Sequence, residues 1–470
     1  MKTLKLYTFK FKINIILKIL IYIIILFSQI NFEKISEKNN FKITKNYIDI
    51  YKDLNLSFFN IITNKIRIGI YSFYLKNGGR ARITSLLINY FYKYKIFNIF
   101  LLTNKNKEKD EYQIPRNITR INIKNIEIKY LIKVIKKKKL DILIYPYAYS
   151  EQIDILNNLK NIKIIFYIHQ SIFFWIYANL TYFKSVYKSY KKSKYIISLI
   201  NFENNYIFKK WGLNSILMNN FITYEYNSIV ESDLSSETIL MIGRADDKYK
   251  RFELGIQSME YIIQYIPNCI MKVISNISNI DNLKFLVNSL KIEKNVKFYG
   301  YITSPDIFFK NVSLNIIPSI SESFSLVLCE TKIYGIPNII IGLDYISIAN
   351  NGTVIIFDDR SELIAKESLI ILKNYDYRIR IGKKARNSMK KFNNKLLINK
   401  WLKLIILIYF DDNNNINVKL LNSDEKITNK EAKNILLNQF KLFKNRNSLL
   451  DNNINNHDIE NISIMENIIK

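Results

Sequence analysis

Between residues 66 and 357 the chain alternates short apolar runs with longer amphipathic stretches. Short apolar runs predict buried strands, and amphipathic stretches predict helices. Alternation in two consecutive blocks favours the α/β class, with two facing, Rossmann-like parallel-sheet domains and a cleft between them. The predicted strands are residues 66–73, 97–103, 141–145, 162–168, 195–200 and 216–218, then 238–243, 270–274, 296–298, 312–317, 338–341 and 354–357.

The same pattern divides the chain into six parts. A helix at residues 396–410 is expected to close the globular body, and the Asn- and Lys-rich chain beyond it holds one amphipathic stretch at 430–443. The predicted parts are an N-terminal apolar anchor or signal segment (1–31), a linker (32–65), a first Rossmann-like domain (66–230), a second (231–392), a closing helix (393–410) and a polar tail (411–470).

The N-terminus contains an apolar stretch, residues 13–30, of about the length that spans a bilayer. Lys18 interrupts the stretch and leaves residues 19–27 as its apolar centre. We expect a membrane-associated protein with a single retained anchor and its body on the cytoplasmic face. A cleaved signal peptide and a membrane-surface or buried helix are the alternatives.

The formal net charge is +30 over 470 residues. A balance of this size is typical of proteins that bind nucleic acid or anionic membranes. The lysines are spread along the chain, however, with one dense run at residues 136–139 and no nucleic-acid motif. We therefore attribute the charge to solubility and to a composition dominated by Ile, Asn, Lys, Tyr and Phe. Binding to a membrane surface is the alternative, and we expect no nucleic-acid partner.

Cysteine and histidine are scarce, which limits the possible chemistry. Cys269 and Cys329 lie in apolar segments and are predicted to be core residues. The histidines are His169 and His457, so no zinc-ligand spacing is present. We expect no metal site.

Glu322 and Glu330 lie eight residues apart, just after a predicted strand. The pattern predicts a helix over residues 324–334 with Ser321 or Ser323 as its cap. At 1.5 Å per residue the two carboxylates would be about 12 Å apart on nearly the same face. A helix N-terminus between them would favour an anion. Two carboxylates that accept hydrogen bonds, with an anion site between them, suit a sugar, a diphosphate and a ribose in that order. Together these groups make a nucleotide sugar.

A basic loop, Gly243 to Arg251, follows the first strand of the second block. The planar guanidinium of Arg244 and the ammonium of Lys250 both suit phosphate oxygens. Negative charge develops on a departing diphosphate, so fixed cations at this position would lower the barrier to transfer. A solvated turn is the alternative interpretation.

The first block offers two candidates at the carboxyl ends of its strands. Gly78 and Gly79 lie between a strand and the helix predicted at 80–92, where glycine allows close approach of the backbone to a ligand. His169 ends the strand predicted at 162–168. A tight turn and a structural histidine are the alternatives.

Several short motifs follow one another in the second half: Gly243-Arg244, residues 250–253, residues 296–300, Pro318-Ser319, residues 322–330 and residues 335–337. Their order resembles the donor half of the retaining GT-B glycosyltransferases of family 4. The resemblance covers about residues 66–410 and is stronger in the second half. It implies the GT-B fold, with an acceptor-side first domain and a nucleotide-sugar donor domain.

The resemblance implies roles for the charged residues. Glu322 would contact the donor sugar, Glu330 would bind the ribose hydroxyls, and Arg244 and Lys250 would hold the diphosphate. It also implies a nucleotide-sugar cosubstrate with no further cofactor and no obligatory divalent metal.

In the first domain the resemblance implies that Gly78 and Gly79 lie against the donor phosphate and the acceptor, and that His169 hydrogen-bonds a donor hydroxyl. Arg80 and Arg82 are expected to add positive charge near the acceptor.

Gly243 and the backbone amides of Ser323, Phe324 and Ser325 complete the expected donor site. The family commonly has Glu-Gly-Phe-Gly where this chain has serine at both glycine positions, which would reshape the sugar pocket. Arg251 likewise stands where glycine is frequent. Neither departure removes a charged group that the reaction needs.

The sequence therefore predicts a retaining glycosyltransferase that moves a hexosyl or N-acetylhexosaminyl group to a glycan or lipid-linked acceptor. A catalytically silent GT-B protein that binds sugar or acts as a scaffold at a membrane is the main alternative. A phosphorylase would need a cofactor lysine and a longer chain. A basic nucleic-acid binder would show strongly salt-sensitive binding without nucleotide preference.

Overall fold

The computed structural model of the protein describes residues 65–410, apart from residues 77, 124–127, 147–158, 160–161, 173, 175–179, 246–248, 276–279, 301, 303–304 and 342–345. Within this part no helix is both long and apolar enough to span a bilayer. The predicted anchor at 13–30 and the predicted tail helix at 430–443 lie outside the described residues.

The first domain is built on a seven-stranded parallel sheet with the order β3-β2-β1-β4-β5-β6-β7. Its central strands are apolar and almost fully buried, as expected for strands that are covered on both faces. The strands are β1 Ile66–Ser72, β2 Phe97–Thr103, β3 Thr119–Asn122, β4 Ile142–Tyr145, β5 Lys163–Tyr167, β6 Tyr195–Ser198 and β7 Ile216–Leu217.

The second domain is built on a six-stranded parallel sheet with the order β10-β9-β8-β11-β12-β13. Every strand pair in both sheets is parallel. The strands are β8 Thr238–Ile242, β9 Ile270–Ile274, β10 Val296–Tyr299, β11 Leu314–Ile317, β12 Asn338–Ile341 and β13 Thr353–Ile356.

Helices connect most of the strands. The α-helices of the described part are α1 Gly79–Tyr92, α2 Ile128–Lys138, α3 Leu180–Lys192, α4 Asn201–Trp211, α5 Phe252–Ile262, α6 Asp281–Ser289, α7 Leu326–Ile333, α8 Ile346–Ala349, α9 Ser361–Lys373, α10 Tyr375–Ser388 and α11 Asn394–Phe410. Short 3-10 helices occur at Tyr226–Ser228, Pro305–Phe308 and Met389–Lys391.

The strand order of each sheet reverses beside its first strand. β1 lies between β2 and β4, and β8 lies between β9 and β11. At such a point the chain leaves neighbouring strands in opposite directions, which opens a crevice at their carboxyl ends. The connections after β1, β8 and β11 carry the glycine pair, the basic loop and Glu322. The topology therefore brings these predicted site residues to the two crevices.

Helix α11 returns the chain to the first domain. Trp401 is fully buried, and its ring lies edge-on to the rings of Tyr167 and Phe91, with centroids 5.2 Å and 5.9 Å away. Asn394, at its start, exchanges two hydrogen bonds with the backbone of Ile222, which lies after β7. The apolar pattern predicted this helix at 396–410.

The predicted fold class is confirmed, and Cys269 and Cys329 are buried, as expected of core residues. Strand β3 was missed. The helix predicted at 324–334 is shorter: α7 spans Leu326–Ile333. The predicted caps, Ser321 and Ser323, are also wrong, because Ser325 stands at the N-cap with a left-handed backbone and makes no side-chain cap hydrogen bond.

Candidate functional site

Two predicted site residues meet in the second domain. Lys250 Nζ donates to Glu322 Oε1 across 2.5 Å. Their loops are also joined through the backbone, where Ile320 N donates to Tyr249 O at 2.8 Å. The connections after β8 and β11 therefore form one unit that presents a cation and a carboxylate side by side at the carboxyl end of the sheet.

Glu330 lies at the contact between the domains. It is 1% exposed, and its Oε1 accepts from Arg82 of α1 and, at 2.6 Å, from the hydroxyl of Thr223. Only Glu330 lies within α7, since Glu322 comes before the helix begins. The sequence placed Glu322 at the entrance of this helix and Glu330 about two turns in. Because the helix begins only at Leu326, residues 323–325 are not helical, and the regular helical spacing assumed between the two carboxylates does not hold.

His169 lies at the carboxyl end of β5, where its carbonyl accepts from Ser323 Oγ of the second domain at 2.7 Å. Nδ1 is buried, and no hydrogen-bond partner is found for it in the described part of the chain. Burial, aided by the nearby Arg80 guanidinium, lowers the pKa of His169 to about 3. The imidazole is therefore neutral at physiological pH and suited to hydrogen bonding.

The glycine pair begins α1 beside the amino end of α7. Gly78 has φ 92° and ψ 164°, a backbone conformation that is essentially confined to glycine. A Cβ on Gly79 would approach Leu326 Cδ1 within 3.3 Å. Leu328, on the same helix, belongs to a core that continues into the first domain. The approach of the two domains is thus partly apolar and leaves little room beside Gly79, whereas a Cβ on Gly78 would meet no atom within 4 Å.

The remaining predicted residues differ in exposure. Arg244 is exposed directly after β8. A Cβ on Gly243 would come within 3.2 Å of the Phe252 ring, so a larger residue there would need the ring to shift by a few tenths of an ångström. Phe324 is buried and packs edge-on against Phe392, which leaves only its backbone for a ligand.

Two of the three residues that depart from the family pattern, Ser325 and Arg251, share one conformation. Ser325 has φ 44° and Arg251 has φ 50°, both in the left-handed region that favours glycine. The Arg251 side chain is 2% exposed; its Nε donates to Pro318 O at 2.7 Å, and its Nη1 lies 2.5 Å from Asp359 Oδ1. The Arg251 side chain is thus buried and contacts the loop that leads to Glu322.

In the described part of the chain, no group of three or more His, Cys, Asp or Glu side chains is placed to hold a metal ion. Lys250 pairs with Glu322, and Arg82 pairs with Glu330. Such an arrangement can bind a diphosphate and hydroxyl groups directly.

Sequence reasoning missed the part that Arg82 and Thr223 play in the site. Arg82 was expected to add charge near an acceptor, but the structure pairs it with Glu330. Thr223 lies in the connection between the domains, and no pattern in the sequence singles it out. The two contacts cross 248 and 107 positions of the chain, so only the fold brings them together.

Acid should destabilise the protein through His169. Its pKa is lowered from 6.5 to about 3 in the folded chain, so the unfolded chain binds more protons between these values. Stability is therefore complete above pH 6.5 and falls as the pH drops, by about 2 kcal/mol at pH 5 from this group alone. Urea unfolding at pH 8 and pH 5 checks this. Between pH 8 and pH 5 the His169→Gln variant should lose about 2 kcal/mol less of its free energy of unfolding than wild type. The same pH dependence in variant and wild type would contradict the assignment.

Gly78→Ala should lower both stability and donor affinity. Alanine would be strained at φ 92° and ψ 164°, at a cost of about 1–3 kcal/mol, and a loop that relaxes from this conformation shifts the start of α1. Gly212→Ala is the matched control, since Gly212 has φ 65° and no atom within 4 Å of the added Cβ but lies at the end of α4. It should lose about 1 kcal/mol and keep donor affinity. Equal binding by Gly78→Ala and the control would count against the proposed contact.

Comparisons with known proteins agree with this architecture. Residues 225–388 match the family model described as "Glycosyl transferases group 1". An uncharacterized glycosyltransferase of Haemophilus influenzae is 22% identical over 173 residues, which are 36% of this chain and 48% of the relative. The match thus spans about half the length of that relative.

Solved structures resemble the chain over most of its described part. The sucrose-phosphate synthase of Thermosynechococcus elongatus has a TM-score of 0.63 at 15% identity, covering 73% of this chain and 99% of its own. HepE of Anabaena, in complex with UDP and glucose, has a TM-score of 0.59 at 12% identity, with coverages of 73% and 99%. A TarM variant of S. aureus, in complex with UDP among other ligands, has a TM-score of 0.52 at 21% identity, with coverages of 61% and 58%. These likenesses show the GT-B fold, and with the family match over residues 225–388 the predicted resemblance is confirmed.

Proposed function

We propose, from the GT-B fold and the group 1 glycosyltransferase match, that this protein is a retaining glycosyltransferase. It takes a hexosyl or N-acetylhexosaminyl group from a nucleotide-diphosphate sugar and transfers it to a glycan or lipid-linked acceptor. Its N-terminal segment anchors it to a membrane, with the catalytic body on the cytoplasmic face.

One observation carries the proposal: the Lys250–Glu322 pair at the crevice of the second sheet, with Glu330 on the helix that follows. A lone basic loop would suit many anions. A cation held beside one carboxylate, with a second, buried carboxylate beyond it, suits a ligand that has an anionic centre and hydroxyl groups on either side. A nucleotide sugar has that composition.

The reaction needs no enzymic nucleophile. The bond between the anomeric carbon and the donor phosphate oxygen breaks, and its electron pair leaves with the diphosphate. The acceptor hydroxyl oxygen bonds to the anomeric carbon on the same face, and its proton passes to the departing phosphate oxygen. The configuration at the anomeric carbon is retained.

The protein's contribution is electrostatic and positional. Arg244, Lys250 and the backbone amides at Ser323 to Ser325 stabilise charge on the leaving diphosphate. Glu322 contacts the donor sugar, and Glu330 accepts from the ribose hydroxyls. His169 has a pKa of about 3 and is therefore uncharged at neutral pH. It forms one hydrogen bond with a sugar hydroxyl, either as the donor or as the acceptor.

A donor screen tests the proposal. Purified full-length protein is mixed with UDP-, GDP- and ADP-sugars, and thermal stabilisation and donor hydrolysis are measured. We expect one base to stabilise the protein and its sugar to be released slowly, with NMR showing that the α-donor yields the α-product. Stabilisation without hydrolysis or transfer to any glycan or lipid-linked acceptor would favour a silent sugar-binding protein, and inversion would refute the retaining mechanism.

A further inference from the structure

A buried ion pair joins the two domains at the proposed donor site. Arg82 lies in the first turn of α1 in the first domain, and its side chain is 14% exposed. It donates to Oε1 of Glu330, which lies in α7 of the second domain. Since the pair bridges the domains, it exists only while they are in contact.

The two oxygens of Glu330 differ in their surroundings. Oε1 accepts from both the Arg82 guanidinium and the Thr223 hydroxyl. Oε2 is also buried, yet no hydrogen-bond partner is found for it in the described part of the chain. A buried carboxylate oxygen without a donor costs free energy, so it is a strong acceptor for an incoming hydroxyl.

The surroundings hold Arg82 in place and charged. Its guanidinium lies 5.4 Å from the centroid of the Tyr112 ring. Burial, the largest single influence, would lower the pKa of Arg82, but the Glu330 carboxylate together with Tyr112 and Tyr224 outweighs it and raises that pKa. Removing one partner of such a pair leaves the other charge buried and uncompensated.

We propose that Arg82 is a positioning residue for the donor: it fixes Glu330 through Oε1 and leaves Oε2 to accept from the ribose hydroxyls of a nucleoside diphosphate. The inference rests on the proposed function and deepens it, because the second domain's nucleotide site is complete only when the first domain supplies Arg82. Donor binding and the closed arrangement of the domains then stabilise each other.

The test compares two probes on full-length protein by calorimetry: UDP and 2′,3′-dideoxy-UDP, with GDP and ADP and their dideoxy analogues if the protein prefers another base. Wild-type protein should prefer the probe with ribose hydroxyls about 10-fold or more, the scale of hydrogen bonds to a charged group. Arg82→Gln should lose most of that preference while its affinity for the dideoxy probe changes little. Arg82→Lys keeps the positive charge and should retain part of the preference for the probe with ribose hydroxyls.

Two further variants separate positioning from folding. In a Glu330→Gln background, Arg82→Gln should cause little additional loss, because both changes act on one contact. Thr223→Val, which removes the second donor to Oε1, should weaken the preference without removing a charge. Arg67→Gln is the matched control: it breaks a 2.9 Å ion pair with Asp141 in the same domain, at the amino end of β1, and should keep the preference.

Full hydroxyl preference in folded Arg82→Gln, or additive losses in the double variant, would overturn the inference and leave the proposed function standing. A wild-type protein that binds no nucleoside diphosphate would overturn both. If Arg82→Gln does not fold, Arg82→Lys and Thr223→Val decide, and an undiminished preference in both refutes the assignment.

Discussion

Replacing Lys250 with alanine should lower turnover about 10²-fold or more, the scale seen when a group that stabilises developing charge is removed. Lys250 Nζ lies 2.5 Å from Glu322 Oε1 at the crevice where the diphosphate is proposed to leave. Without the ammonium, the diphosphate loses a cation and also meets a carboxylate that is no longer neutralised. The loss should therefore fall on kcat and kcat/KM together.

Transfer assays with the donor found in the screen measure this effect. Lys250→Met retains most of the aliphatic stem and should be as impaired as Lys250→Ala, which assigns the loss to charge. Lys284→Ala is the control, because Lys284 is half exposed on α6 of the same domain and forms an exposed ion pair with Asp281 one turn away. Turnover by Lys250→Ala within a few-fold of wild type would remove Lys250 from the reaction.

Truncating Arg251 to alanine should destabilise the protein by about 3 kcal/mol, the lower end of the range for breaking a buried ion pair. The guanidinium is 2% exposed and holds both the Pro318 carbonyl and the Asp359 carboxylate. Removing it takes a donor from the buried Pro318 carbonyl and a cation from Asp359, which is 25% exposed and recovers some solvation. The left-handed backbone at position 251 remains strained for alanine as well.

Urea unfolding at neutral pH measures the change in the free energy of unfolding. Arg360→Ala provides the comparison, since Arg360 forms a similar pair with Asp358 but is 65% exposed, and exposed pairs are worth about 0–1 kcal/mol. Equal losses in the two variants would show that burial of Arg251 does not make its contacts costly to break. Arg251→Gly separates the backbone from the side chain: it should lose less than Arg251→Ala, because glycine relieves the strain.

The apolar pattern predicted most of the sheet because parallel strands that are buried on both faces are almost uninterrupted runs of Ile, Leu and Val. Residues 97–103, 270–274 and 338–341 were predicted with the bounds that the structure gives them. Strand β3 was missed because Thr119–Asn122 is a short edge strand, partly exposed, with one apolar residue. An edge strand needs little hydrophobic surface, so it leaves no comparable pattern.

The site was predictable in its residue types but not in its contacts. Strand ends indicated where Lys250, Glu322 and Glu330 would lie, because ligand sites in such sheets gather at carboxyl ends. The start of α7 was misjudged because Ser325 adopts a left-handed conformation that serine seldom takes, which delays the helix past the serines expected to cap it. The Arg82 contact depends on how two domains meet, and local sequence does not record that.

Helix α11 has a consequence for attempts to divide the protein. The chain leaves the first domain after β7, builds the second, and then comes back so that Trp401 can cover Tyr167 and Phe91. An excised N-terminal fragment that stops before β8 would thus lack α11 and expose to water the apolar surface that this helix covers. Such a fragment should aggregate on expression, and adding a synthetic peptide of residues 394–410 should restore its solubility.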